Sequence, residues 1–237
     1  SLTTAGVLGH PRGSVSPGLF STVLWFNRAM QQRSTARPVR LALAGLVTGL
    51  LIALAPMTAS AATVTVKMGF NDFSPAAKTI ARGTTLKWSN KGGALEHNVQ
   101  ATAPKWYFYS TKNKNVGDIE PGETYSFTFR AAGRFAYVCS IHTGMDGSIT
   151  VPITVTKLSG PVRFRITVAS ASSSSPWANE VQVRKPGASS WKRIARTTGA
   201  SVTFTPTKRG TYTFRSRVTN TSTGADAGWS PAVSRTY

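Results

Sequence analysis

The sequence predicts an all-β protein, two successive β-sandwiches behind a helical N-terminal signal segment. Three observations predict it. Beyond residue 60 the chain is rich in Thr, Ser, Val and Gly, and its short runs alternate apolar with polar residues, the period-2 pattern of half-buried strands. Turn signals separate these runs, among them Ala81-Arg82-Gly83, Asn90-Lys91-Gly92-Gly93 and Pro121-Gly122. No long amphipathic helical period appears in that part. The length, 237 residues, suffices for one large domain or two small ones.

The N-terminal segment comes first. Arg33, Arg37 and Arg40 precede an apolar run from Leu41 to Ala55, followed by Pro56 and Ala59-Ser60-Ala61. This is a basic region, an apolar core and a small-residue cleavage site, which together read as a secretory signal over 30–61 with cleavage near Ala61. The run falls short of the roughly 20 residues of a spanning helix. Residues 1–29 precede Met30, which would open a signal of ordinary length. They are expected to be a non-native extension without function, which sets His10 aside. The expected location is therefore outside the cell or in its envelope.

The first sandwich is expected over 62–157. Its strand-like segments are Val64–Met68, Thr84–Trp88, His97–Val99, Thr124–Phe129, Phe135–Val138 and Ser148–Val151. In Thr124–Phe129, aromatic Tyr125, Phe127 and Phe129 alternate with small polar residues, as in a half-buried strand of an antiparallel sandwich. Trp106, Tyr107, Phe108 and Tyr109 are expected to pack in core and loop. A short linker, Thr156–Pro161, leads to a second sandwich over 158–237. There Phe164, Ile166 and Val168 share a strand face, as do Val181 with Val183, Val202 with Phe204, and Tyr212 with Phe214 and Val218. Such spacing suits a small immunoglobulin-like sandwich. The run Gly210–Val218, then Gly228-Trp229-Ser230-Pro231, resembles the last two strands of a fibronectin type III domain.

Charge is uneven. The whole chain carries +20. Residues 62–157 hold 11 Lys and Arg against 6 Asp and Glu, a net +5; residues 158–237 hold 12 against 2, a net +10. Alternation places Arg163, Arg165, Arg184, Arg215 and Arg217 outward, and a fibronectin-like strand order would put Arg184, Arg215 and Arg217 on one sheet. Two readings stand side by side: charge for solubility, or a cationic patch for an anionic cell-wall polymer or membrane surface. Nucleic acid is not expected as a partner of a secreted chain without a binding motif.

The one cysteine, Cys139, lies in Tyr137-Val138-Cys139-Ser140-Ile141-His142-Thr143-Gly144-Met145. A secreted chain with one Cys has no internal disulfide. Metal ligation accounts for such a thiol; burial as a small apolar residue is the other account. Thiolate, imidazole and thioether at three-residue steps suit copper, and His₂Cys with a long axial Met is the blue-copper set. The further histidine is His97 in Leu95-Glu96-His97-Asn98-Val99, giving His97, Cys139, His142 and Met145 as metal ligands.

These residues carry a family resemblance. Gly133 to Ile149 resembles the ligand loop of the cupredoxins, the plastocyanin and amicyanin family. Phe73-Ser74-Pro75, Trp88-Ser89-Asn90, His97-Asn98-Val99 and Ile119–Tyr125 extend the likeness over the first sandwich. The Cys-to-Met spacing is that of the short amicyanin-type loop. The resemblance implies a Greek-key sandwich holding one type 1 copper per chain and carrying single electrons. It further implies that Asn98 steadies the Cys139 loop and that a redox partner docks near His142, the electron exit, with Ile141, Thr143 and Gly144 on its rim. Two other functions stay open: copper capture or delivery without redox duty, and surface interaction through the basic second block. An enzyme is not expected, since Met145 fills the fourth ligand position and only two histidines remain in the mature chain.

Overall fold

Alternation becomes nine strands between Thr63 and Val151 in the computed structural model, which describes residues 62–111 and 116–237. The expected extension 1–29 and signal segment 30–61 lie outside the described residues. The strands are β1 (Thr63–Met68), β2 (Phe73–Ser74), β3 (Ala77–Thr79), β4 (Thr84–Ser89), β5 (Gln100–Ala103), β6 (Lys105–Tyr109), β7 (Thr124–Phe129), β8 (Gly133–Val138) and β9 (Asp146–Val151). One sheet runs β2-β1-β4-β7 and the other β3-β9-β8-β5-β6. The sandwich is mixed rather than wholly antiparallel, because β1 pairs parallel with β4 and β3 parallel with β9.

Aromatic residues from both sheets fill the space between them. Trp88 stacks on Tyr125 at 5.4 Å and on Phe108 at 5.6 Å, and meets Tyr137 edge-on at 5.3 Å. Each such pair adds about 0.5–1.5 kcal/mol beyond the area it buries. This core fixes β4 against β8, and the strand end at Cys139 inherits that rigidity.

Two expectations need correction. His97–Val99 is not a strand; His97 makes a single bridge to Ile119, and the ladder begins at Gln100. The reason is tertiary: the His97 carbonyl accepts from both Asp118 N and Ile119 N, each at 3.0 Å, which holds this stretch as a loop crossing. Of the aromatic run Trp106–Tyr109, expected as core and loop packing, Phe108 is indeed core and Tyr107 packs against it, but the segment lies in strand β6 rather than in a loop.

The second set comprises β10 (Thr154–Lys157), β11 (Phe164–Thr167), β12 (Trp177–Arg184), β13 (Lys192–Thr197), β14 (Ser201–Phe204), β15 (Thr211–Asn220) and β16 (Val233–Thr236). A three-stranded sheet β10-β11-β14 faces a four-stranded sheet β13-β12-β15-β16. Between them lie Phe164, Ile166, Val168, Val181, Val183, Tyr212 and Phe214, all buried. Thr156 and Lys157, expected in a linker, instead pair with Arg165 and Phe164. Alternating Thr and Val at 154–157 is strand sequence, and a neighbouring edge was there to receive it.

Backbone bonds join the two sandwiches within one compact unit. Arg134 N donates to Gly228 O at 2.8 Å, and Gly228 N returns to Arg134 O at 2.9 Å. Ala132 N donates to Val168 O, and Ser170 N to Arg130 O.

Candidate metal centre

β8 delivers Cys139 directly after its last residue, and the Cys139 side chain is buried at 2 % exposure. The chain then turns back within six residues. Met145 N donates to His142 O at 3.3 Å, and Cys139 N donates to Met145 O at 3.0 Å. Two glycines permit this. Gly144 sits at φ +81°, a left-handed conformation that L side chains rarely adopt. Gly147 lies under the Tyr137 ring, where a Cβ would come within 2.2 Å of the ring. Met145 is thereby buried in the same core as Cys139.

His97 reaches the site from the crossing loop and is fully buried. Its Nδ1 lies 3.8 Å from Cys139 Sγ, and His142 Nδ1 lies 3.4 Å from the same sulfur. All three donor atoms fall within 4.8 Å of one another. A first-row ion about 2.0–2.3 Å from each donor fits this spacing. Both histidines thus turn the same nitrogen inward, and the two rings stand 4.7 Å apart. The donor set, one thiol and two imidazoles, is soft enough for copper.

The electrostatics suit ligation. Burial pushes the His97 pKa down, and nearby His142 adds to this; the Gly69 carbonyl and Asp72 carboxylate partly oppose it. The outcome favours neutral imidazole, the form that binds metal. His97 Nε2 is buried and completes no hydrogen bond of normal geometry.

Asn98 ties the two ligand-bearing segments together. Its backbone N–H points at Cys139 Sγ at 3.4 Å. Its side-chain oxygen accepts from Ser140 N at 2.8 Å, while Nδ2 donates to Val116 O at 2.8 Å and Ser140 Oγ at 3.0 Å. A fully buried amide thus bridges the His97 and Cys139 segments.

The surface above the site holds residues that sequence reasoning missed. Phe70 is 75 % exposed and Val116 44 %. Asn71 Nδ2 donates to Thr143 O at 3.1 Å, which links the β1–β2 loop carrying Phe70 to the ligand loop. A bulky aromatic between Gly69 and Asn71, in a turn too short to bury it, was the available signal.

Residues 60–152 match the family of copper binding proteins described as plastocyanin/azurin. Plastocyanin from Scenedesmus fuscus is 35% identical over 97 residues, which cover 37% of this chain and 98% of that protein. The chain belongs to the plastocyanin/azurin family. Plastocyanin from Prochlorothrix hollandica is 38% identical over 120 residues, 47% of this chain and 88% of that one. A solved structure of a reduced amicyanin mutant aligns at 25% identity and a TM-score of 0.32, covering 38% of this chain and 81% of that one. For a member of this family, copper is the cofactor that the convergent thiol and imidazoles accommodate.

The arginines of the second sandwich lie on one sheet as expected, and aromatic rings flank them. Arg184, Arg215 and Arg217 do share one face of the β12–β15 pair, but as rungs between rings. The Arg215 guanidinium lies 4.1 Å from the ring centres of both Trp191 and Trp229, with Arg184 also over Trp191 and Arg217 also over Trp229. Arg215 donates twice to Gln182 Oε1, and Arg217 pairs with Glu180 at 3.2 Å and Asp226 at 2.7 Å. Much of their charge is spent inside the protein.

Proposed function

We propose that the chain is a secreted blue-copper protein that carries single electrons, with His97, Cys139, His142 and Met145 as ligands. The convergence of two imidazole Nδ1 atoms on one buried thiol carries this reading. Bound copper would supply a Cu(II)/Cu(I) couple. The residues supply a frame that holds one geometry for both states. Cys139 is anchored by β8 and by its N–H bond to Met145, His97 by its double clamp to Asp118 and Ile119, and the two are joined through Asn98. A frame this tied changes little when charge changes, which keeps reorganisation small.

His142, half-buried beside Ile141, is the exit for the electron, and the partner docks on the apolar rim that Phe70 and Val116 extend. Secretion rests on the signal pattern over 30–61 and on an unpaired thiol that a metal would occupy. The second block, 158–237, reads as a fibronectin III-like domain. Its sheet composition supports this, as does Tyr212 near the start of β15, whose hydroxyl donates to Lys208 O at 2.9 Å, the tyrosine-corner arrangement of such sandwiches.

Voltammetry of the copper-loaded chain tests the redox role. A reversible one-electron wave with fast electrode exchange is expected. Copper that transfers readily to an acceptor without any reversible wave would favour delivery instead.

A further inference from the structure

The copper site makes no use of the outer side of β6. Between the pairs Gln100–Tyr109 and Thr102–Lys105, β6 has three residues where β5 has one. This bulge breaks alternation. Phe108 is buried and Tyr107 stacks on Phe135 at 5.1 Å, so both serve the core. Trp106 and Tyr109 stay half-buried, ring against ring edge at 5.5 Å. Trp106 has φ 64°, and among the described residues it is the one non-glycine in the left-handed region. A bulge position of that kind ordinarily takes glycine. A large ring kept there against backbone preference points to use rather than to stability.

Trp177 and Pro176 form the facing wall of a groove of about 520 Å³. Trp177 is itself fixed, its ring edge-on to Tyr107 at 5.1 Å and its carbonyl accepting from Ser173 Oγ at 2.8 Å. On its other side lies a second cleft of about 200 Å³, whose lining includes Thr128, Arg130, Ser172 and Ser174. Rings therefore give way to hydroxyls and a guanidinium along one path. Neither cleft is lined by a carboxylate; Arg130 and Lys105, the latter 5.4 Å from the Trp106 ring, are the charges at hand.

We propose that this path binds a segment of acidic polysaccharide, built from uronic-acid units. A pyranose ring has an apolar C–H face that covers an indole and an equatorial rim that bonds hydroxyls. Its carboxylates would meet Lys105 and Arg130. The proposal is independent of the copper reading and would tether the chain to a glycan matrix.

The test titrates the full copper-loaded chain with hexagalacturonate at physiological salt, following tryptophan fluorescence. Saturable binding is expected, weakened at least about tenfold in Trp177→Ala and in Trp106→Gly. Trp106→Gly relieves the backbone and should melt no lower than the parent, so its loss of binding is not unfolding. The visible spectrum should not change. Undiminished binding by Trp106→Gly would assign the affinity to general positive charge and overturn the proposal. So would equal binding of neutral cellohexaose, capture of a polyproline peptide by the same residues, or no binding of hexagalacturonate.

Discussion

Two clusters of polar side chains sit in this molecule, and they are built in opposite ways. At the end of the first sandwich, His97, Cys139 and His142 turn donor atoms toward each other around a common point. On the second sandwich, Arg184, Arg215 and Arg217 alternate with Trp191 and Trp229 and meet Gln182, Glu180 and Asp226. The first cluster converges, with three soft electron-pair donors facing one another within 4.8 Å. The second spreads its cations along a face among rings and carboxylates, and leaves Arg217 Nε without a hydrogen bond. Convergent soft donors mark a site, whereas a ladder of rings and ion pairs marks structure.

Replacing the pivotal residue of each cluster should separate the two. Cys139→Ser should abolish the thiolate-to-copper absorption and cut copper affinity by more than about 100-fold, since even outer-shell losses cost 10–100-fold; a metal titration with absorbance readout checks this. Glu180→Ala should leave the colour intact but cost about 3 kcal/mol in denaturant unfolding, because Glu180 is buried and answers both Arg196 and Arg217. If Glu180→Ala bleached the copper band, the two clusters would not be independent.

Much of the site was legible because its signal is chemical and local. Cys139, His142 and Met145 lie within one turn of loop, and their softness and spacing speak directly. His97 was found by elimination among three histidines, though its loop setting was not, since His97-Asn98-Val99 carries strand-like sequence that tertiary bonds to Asp118 and Ile119 override. The parallel pairing of β1 with β4 depends on contacts distant in sequence, which alternation does not encode. The arginine reading was incomplete for a related reason. Alternation placed Arg215 and Arg217 on the outer face correctly, but nothing in the pattern said that Trp191 and Trp229 would fold over them.

Three smaller effects sharpen the contrast. Met145→Gln should keep copper and lower its potential, read by voltammetry, because an axial ligand tunes the couple. Alkaline pH should weaken the first sandwich. Burial pushes the Tyr137 phenol up to about 12, whereas the unfolded chain loses that proton near 10. The folded state retains a proton that the unfolded state sheds, so stability is whole below pH 10 and Tyr137 alone withdraws about 2–3 kcal/mol as pH rises to 12. Thermal melts across that range check it, with Tyr137→Phe making the slope shallower but not flat, because burial raises Tyr107 and Tyr125 to about 12 as well. Arg184→Ala, an exposed end rung over Trp191, should cost only about 0.5–1 kcal/mol.

The most direct test of the central claim is a visible-absorption titration of the chain with Cu(II). An intense thiolate-to-copper band should grow to an endpoint of one copper per chain and vanish on reduction. A colourless complex, or a band that persists in Cys139→Ser, would contradict the account.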